Sequence, residues 1–256
     1  MQGLGRGMVY LNLAAVLLLL LRLSALGLFR IYRSLFFYLL TYTLQFFATA
    51  ILPITSAAYS YSYMVGESAN VALSMLVVLE LYKLALAGQP ALAGFGRKTV
   101  AYAMGLAAAL AAGGVMLDAA VPPGQAGFRH HFLAAERTMD FAILIFLLLI
   151  SVFLIWFPVK VRRNIVLYMA GFAVFYLSRS FGLLMINLLP PASLGVANNL
   201  FTGFSFGCLI AWLFGLRRES EDTATTLGHR WNPAAMERLS GQLETINAAL
   251  VRFGRH

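Results

Sequence analysis

The sequence predicts an all-α integral membrane protein, a polytopic transmembrane bundle of about seven helices. Two observations lead to this fold class. Of the 256 residues, 61% are hydrophobic and 11% are charged, whereas a soluble domain carries about 25% charged residues because its surface faces water. The apolar residues also fall into runs of about 20, the length that crosses a ~30 Å hydrocarbon core. We therefore expect the lipid bilayer to be the main partner of this chain.

The apolar segments are separated by short connections that are polar or rich in Pro and Gly. The first segment is predicted to be a retained helix rather than a signal peptide, because Arg22 interrupts it and Arg30 and Arg33 follow it directly. A transmembrane domain of residues 1–218 is expected to precede a cytoplasmic tail of residues 219–256. The predicted segments are residues 9–29, 34–52, 70–87, 99–117, 139–157, 164–188 and 196–216.

Lys and Arg recur in alternate connections. They follow the first, third, fifth and seventh segments, while the connections after the second and sixth segments contain none. The positive-inside rule then places the N-terminus outside and the C-terminus in the cytoplasm. The basic residues that give the net charge of +9 are therefore expected to set the topology and to contact anionic headgroups. No nucleic-acid partner is expected.

Small residues recur at every fourth position in two segments. This spacing places them on one helix face, where another backbone can approach closely. We expect these faces to pack centrally in the bundle or to form a homo-oligomer interface. The two sets are Ala101, Gly105, Ala109 and Gly113 in the fourth segment, and Gly203, Gly207, Ala211 and Gly215 in the seventh.

Three charged residues of the first and third segments are predicted to lie at a similar depth near the cytoplasmic side. Arg22 lies eight residues before Arg30, Glu80 lies eight residues before Gly88, and Lys83 is one turn from Glu80. A structural ion pair is the simpler interpretation, because Lys and Arg reach the interface with long side chains. A role in proton or solute coupling is the alternative.

A second charged pair is predicted from the turn near residue 161, which joins the fifth and sixth segments into a hairpin. Asp140 lies 21 residues before that point and Arg179 lies 18 after it, so both should lie near the outer side. The pair is either a structural salt bridge or part of a cavity for an anionic ligand. Polar side chains that could line such a cavity or bond helices together include Gln45, Tyr42 and Asn199.

The tail predicts a short amphipathic helix over residues 233–252. Asn232 can cap a helix that begins at Pro233, and an apolar stripe follows at helical spacing. The stripe is expected to dock on a partner, on the bundle or on the membrane surface. Its predicted docking residues are Trp231, Leu239, Leu243, Ile246 and Leu250.

This segment order, together with the Trp-Asn-Pro start of the tail at 231–233, resembles a group of uncharacterised bacterial seven-helix integral membrane proteins. Their tails begin with Trp-(Asn/Asp)-Pro. The resemblance implies a multi-pass protein of the inner membrane and carries no known activity.

The sequence shows no catalytic constellation, so a non-enzymatic protein without cofactor is expected. His130 and His131 are assigned to an external loop and are not expected to bind metal without further ligands. The leading hypothesis is a sensor, regulatory or interaction protein whose tail helix docks a cytoplasmic or membrane protein. One alternative is a small-solute transporter with the topology of sugar-efflux carriers, and another is a structural subunit of a larger membrane complex.

Overall fold

The computed structural model describes residues 2–53, 56–88, 98–106, 109, 128–156, 159–188, 194–226 and 233–253. Apart from one small strand pair, its regular structure is helical. The helices are α1 (Gln2–Ala25), α2 (Arg33–Ile51), α3 (Ala57–Ala85), α4 (residues 98–106), α5 (Phe128–Trp156), α6 (Arg163–Leu188), α7 (Leu194–Gly215) and α8 (Pro233–Phe253). Five of the described helices are long and apolar enough to cross a membrane, and α7 adds a shorter apolar stretch over Asn199–Gly215. This confirms the prediction of a helical protein with several helices that are long and apolar enough to cross a membrane.

Local sequence signals set the ends of the first three helices. Gly27 has a φ of 67°, a left-handed conformation that glycine adopts without strain, and it separates α1 from the turn that leads into α2. Pro53 follows the end of α2. The hydroxyl of Ser56 accepts a hydrogen bond from the backbone N–H of Tyr59 at 3.1 Å and so caps α3.

The long helices pack as a closed ring. In ring order, α1 contacts α2, α2 contacts α3, α3 contacts α5, α5 contacts α6, α6 contacts α7, and α7 returns to α1. A further contact between α3 and α6 crosses the ring. Because α6 also places aromatic side chains against α2, it is the helix with the most central position in this ring.

Two helices begin more than ten residues earlier than the sequence predicts. α3 starts at Ala57 rather than near residue 70, and α5 starts at Phe128 rather than near residue 139. His130 and His131 therefore lie in a helix and not in an external loop. Each of the two helices has 29 residues, about 44 Å at ~1.5 Å per residue, which exceeds a ~30 Å hydrocarbon core. The additional turns extend both helices at their N-terminal ends.

The structure also contains a two-stranded antiparallel sheet that the sequence analysis did not predict. β1 (Lys160–Arg162) lies in the turn between α5 and α6, and β2 (Ala224–Thr226) lies in the segment after α7. Val161 faces Thr225 in the register of the pair. This pairing attaches the beginning of the tail to the α5–α6 turn.

Candidate functional site

One face of α6 carries the residues that organise the bundle. Five residues of this helix are spaced three or four positions apart and therefore lie on the same side of it. They are Asn164, Tyr168, Phe172, Tyr176 and Arg179. Phe172 is fully buried. Its ring contacts four aromatic rings on α2, α6 and α7, at centroid distances of 5.5–5.6 Å. This aromatic column fills the space between a polar group at each end of the face.

At one end of the column, Arg179 binds three carboxyl groups from two neighbouring helices. Its Nε donates to Oδ2 of Asp140 at 2.6 Å, and its Nη2 donates to Oε1 of Glu136. The same Nη2 lies 3.6 Å from Oε1 of Glu67. The acids come from α3 and α5, and Glu67 and Glu136 lie in the additional N-terminal turns of those helices. We call these four residues the Arg179 cluster.

The Arg179 cluster is almost shut off from the surroundings. The side chain of Asp140 is 0% exposed, that of Glu136 is 5% exposed, and those of Arg179 and Glu67 are 13% and 14% exposed. One oxygen of each carboxyl group is buried without a hydrogen-bond partner. A guanidinium group balances only one of the three carboxylates, so the cluster combines excess acid with unsatisfied acceptors.

The predicted pairing of Asp140 with Arg179 is confirmed, whereas the two other acids were not expected there. Glu136 lies in the connection before the predicted fifth segment, and Glu67 lies just before the predicted third segment. Nε and Nη2 of Arg179 point at carboxyl oxygens, so the guanidinium lies among acids, and an anionic ligand at this position stays a prediction.

Of the polar residues proposed as cavity lining, Tyr42 and Gln45 lie near the Arg179 cluster, and Asn199 lines a separate groove. Gln45 accepts a hydrogen bond from Nδ2 of Asn70 at 2.5 Å and bonds α2 to α3. Tyr42 borders a small cavity beside Phe175 and Trp212. Asn199 lies in a separate apolar groove of about 640 Å³ between α6 and α7.

At the other end of the α6 face, Glu221 gathers three donors. Its Oε1 accepts from the hydroxyl of Tyr32 and from Nδ2 of Asn164, both at 2.5 Å, and its Oε2 accepts from Arg162 at 3.1 Å. Asn164 also donates to the carbonyl of Arg217 at 2.6 Å and accepts from its N–H at 3.2 Å. We call this group the Glu221 clasp, and it holds the segment after α7 against α6 and the α1–α2 connection.

Burial raises the pKa of the Tyr32 phenol above its usual value, and the adjacent carboxylate of Glu221 raises it further. The phenol is therefore a stable hydrogen-bond donor at neutral pH. Glu221 lies in a polar stretch without helical or strand periodicity, so its sequence surroundings do not predict this role, and only the fold brings it to Tyr32 and Asn164.

The expected cluster of Arg22, Glu80 and Lys83 is not assembled as predicted. Arg22 donates to the carbonyl of Leu216 at 3.4 Å. Glu80 instead accepts from the backbone N–H groups of Arg33 and Ser34 at 3.0 and 3.1 Å, which caps the N-terminus of α2. Lys83 shares a groove with Glu80 beside α4.

The small-residue faces pack closely at one described position. A Cβ on Gly215 would lie 2.2 Å from Cδ2 of Leu167, so α6 and α7 are in close contact there. A Cβ on Gly105 or Gly207 would meet nothing within 4 Å, and Gly203, Gly207 and Ala211 line the open apolar groove. Ala101 and Ala109 are exposed, while Gly113 lies outside the described residues. Among the described residues, none packs closely on Gly105 or Gly207, and an oligomer interface there stays a prediction.

In the tail, α8 spans Pro233–Phe253 as the amphipathic pattern predicts. Leu243 is buried and belongs to the hydrophobic core, Leu239 is half-buried, and Ile246 is 46% exposed. Trp231 and the side chain of Leu250 lie outside the described residues. The stripe is thus covered at Leu243 and open at Ile246.

Comparison with protein-family models, curated proteins and solved structures finds no match for this chain. The resemblance to bacterial seven-helix proteins stays a prediction, and the function is inferred from the geometry of the chain itself.

Proposed function

We propose that this chain is a non-enzymatic regulatory or interaction protein of the bacterial inner membrane, which relays the state of its bundle to a partner through its cytoplasmic tail. The observation that carries this proposal is the position of α6. One face of this helix bears Arg179 at one end and Asn164 of the Glu221 clasp at the other. The two lie 15 residues apart, about 22 Å at ~1.5 Å per residue, and the tail begins at the clasp.

The filled interior supports a relay rather than a solute path. Between the Arg179 cluster and the Glu221 clasp, Phe172, Tyr168 and Tyr176 are buried and in ring contact. Two cavities of the described part of the bundle are open grooves: one is apolar and the other is lined by Glu80 and Lys83. A carrier would need a polar site reachable along the centre, so the transporter alternative has less support.

The proposal includes seven membrane crossings with the N-terminus outside and the C-terminus inside. It can be tested by labelling single cysteines with a membrane-impermeant maleimide in a Cys208→Ala background. Tyr61→Cys at the exposed start of α3 should react in intact cells, and Arg218→Cys should react only after permeabilisation. Because an odd number of crossings must separate the two positions, labelling of both in intact cells would exclude the seven-helix topology.

Tail docking is tested by affinity purification from native membranes in mild detergent. Ile246 is exposed on the apolar stripe and Thr245 is exposed beside it, so Ile246→Asp and Thr245→Asp form a matched pair. We expect a partner to be recovered with the full chain and with Thr245→Asp, and to be lost with Ile246→Asp and with a chain that ends at Thr226. That truncation retains the Glu221 clasp. Equal recovery from all four forms would contradict a docking role for α8.

A further inference from the structure

We propose that the Arg179 cluster is a proton-binding site that holds two protons at neutral pH. Its three acids and one guanidinium are then electrically neutral as a group. This inference goes beyond the proposed relay and does not depend on it, because it concerns the ligand of the cluster and not the partner of the tail.

The charge count is the first argument. Arg179 contacts Glu67, Glu136 and Asp140, and within the described part of the chain no second cation pairs with these acids. If all three were ionised, two negative charges would remain uncompensated among side chains that are at most 14% exposed. A buried charge without a partner is strongly unfavourable, so such groups bind protons instead.

The titratable side chains of the described residues that surround the Arg179 cluster are phenols and not cations. Tyr63 on α3 and Tyr42 on α2 interact electrostatically with Glu67 and Arg179. Tyr38 on α2 and Tyr176 on α6 face the same group. Because a phenol is neutral at physiological pH, these residues cannot neutralise a carboxylate.

Unsatisfied atoms provide the second, independent argument. Oε2 of Glu67, Oε2 of Glu136 and Oδ1 of Asp140 are buried without a hydrogen-bond partner. Oδ1 of Asn70, three residues beyond Glu67 on α3 and in a residue only 3% exposed, is also without one. All four atoms are acceptors that no donor of the described residues reaches. A protonated carboxyl group is a donor as well as an acceptor, and bound protons therefore supply what the side chains lack.

The arrangement fits protons better than a metal ion. The three acids converge on the guanidinium of Arg179, which occupies the position that a cation would take. Within the described residues, no group of three or more His, Cys, Asp or Glu side chains is arranged to hold a metal. Glu67 has the longest contact with Arg179, at 3.6 Å, and the most exposed side chain of the three acids, so we expect protons to enter and leave through it.

Infrared spectroscopy of the full chain in lipid nanodiscs tests this directly, because a protonated carboxyl group has a C=O stretch that a carboxylate lacks. At neutral pH we expect this band in the wild type, with a shift on exchange into D₂O. Glu67→Gln and Glu136→Gln should each lower its amplitude, and the double variant should remove it. Glu237→Gln and Glu244→Gln, at exposed positions of α8, should leave it unchanged.

Absence of the band from the wild type at neutral pH would overturn the proposal without requiring any variant to fold. A band that persists in the double variant would place the protons elsewhere and overturn it too. If the band is absent and NaCl or KCl raises the unfolding temperature more than an equal concentration of choline chloride, a metal cation balances the cluster in place of protons.

Discussion

The two ends of the α6 face hold their charged groups in opposite ways. At the Glu221 clasp, one carboxylate accepts from Tyr32, Asn164 and Arg162, and both of its oxygens are used. In the Arg179 cluster, three acids share one guanidinium, and each keeps an oxygen without a donor. A fully satisfied polar group rigidifies a fold, while an unsatisfied one in a buried place indicates a bound ligand or a change of state. We therefore regard the clasp as structural and the cluster as functional.

The comparison is tested most strongly by removing the cation. Arg179→Met leaves Glu67, Glu136 and Asp140 without it, and we expect a loss of unfolding free energy of about 3–5 kcal/mol at neutral pH. The loss should shrink as the pH is lowered, because protonation removes the uncompensated charge. Denaturant unfolding in micelles at several pH values measures both effects.

Arg218→Met is the matched control, since Arg218 is exposed and its loss should change stability little at any pH. If Arg179→Met were as stable as this control at neutral pH, the buried acids would not depend on the guanidinium, and the contrast between the two ends of α6 would disappear.

At the other end, Glu221→Ala deprives Tyr32 and Asn164 of an acceptor and should cost about 2 kcal/mol. The ion pair between Glu221 and Arg162 adds little to this cost, because the side chain of Arg162 is 51% exposed. Glu219→Ala, at an exposed position of the same turn, should be near neutral by the same unfolding measurement. Similar losses for both variants would mean that the clasp does not hold the tail.

There is a physical reason why the sequence predicts part of the Arg179 cluster but not the Glu221 clasp. Asp140 and Arg179 could be paired from sequence because helices rise regularly from the turn at residue 161, so equal counts give equal depth. Glu67 was missed because residues 57–69 are rich in Tyr, Ser and Ala and lack a long apolar run, although Ser56 is a helix cap. Neither the continuation of α3 beyond the apolar run nor its meeting with α5 is encoded in local periodicity.

The clasp was harder to foresee than the helices. Glu221 reaches Tyr32 across 189 positions of sequence and Asn164 across 57, and a polar turn carries no signal for such partners. Similarly, spacing predicted that Gly207 would lie on a helix face, but spacing does not tell whether another helix covers that face. Composition and periodicity thus predict membrane helices and the amphipathic tail, while contacts between distant segments require the fold.

The column that joins the two ends can be perturbed at Gly171. A Cβ there would lie 2.3 Å from Nε1 of Trp212, which is buried and donates to the carbonyl of Leu167. Gly171→Ala should therefore cost about 1–3 kcal/mol through overpacking. Gly207→Ala is the control, because its Cβ would meet nothing within 4 Å and alanine favours the helix by up to about 1 kcal/mol. Thermal unfolding followed by circular dichroism should rank the two variants in this order, and the reverse order would show that α6 and α7 are not packed closely at Gly171.

The smallest expected effect belongs to the phenol of the clasp. Tyr32→Phe removes the hydrogen bond to Glu221 at 2.5 Å and should cost about 1 kcal/mol at neutral pH. Since the pKa of Tyr32 is raised in the folded protein above its usual 10.0, the unfolded chain ionises first as the pH increases. The contribution of Tyr32 to stability is therefore complete below about pH 10 and is lost as the pH rises further toward the folded-state pKa. The stability difference between wild type and Tyr32→Phe should then narrow at alkaline pH, while the exposed Tyr61→Phe should show no such change. A difference that stayed constant between neutral and alkaline pH would mean that Tyr32 keeps its usual pKa in the fold, and the clasp would be more open to water than its contacts indicate.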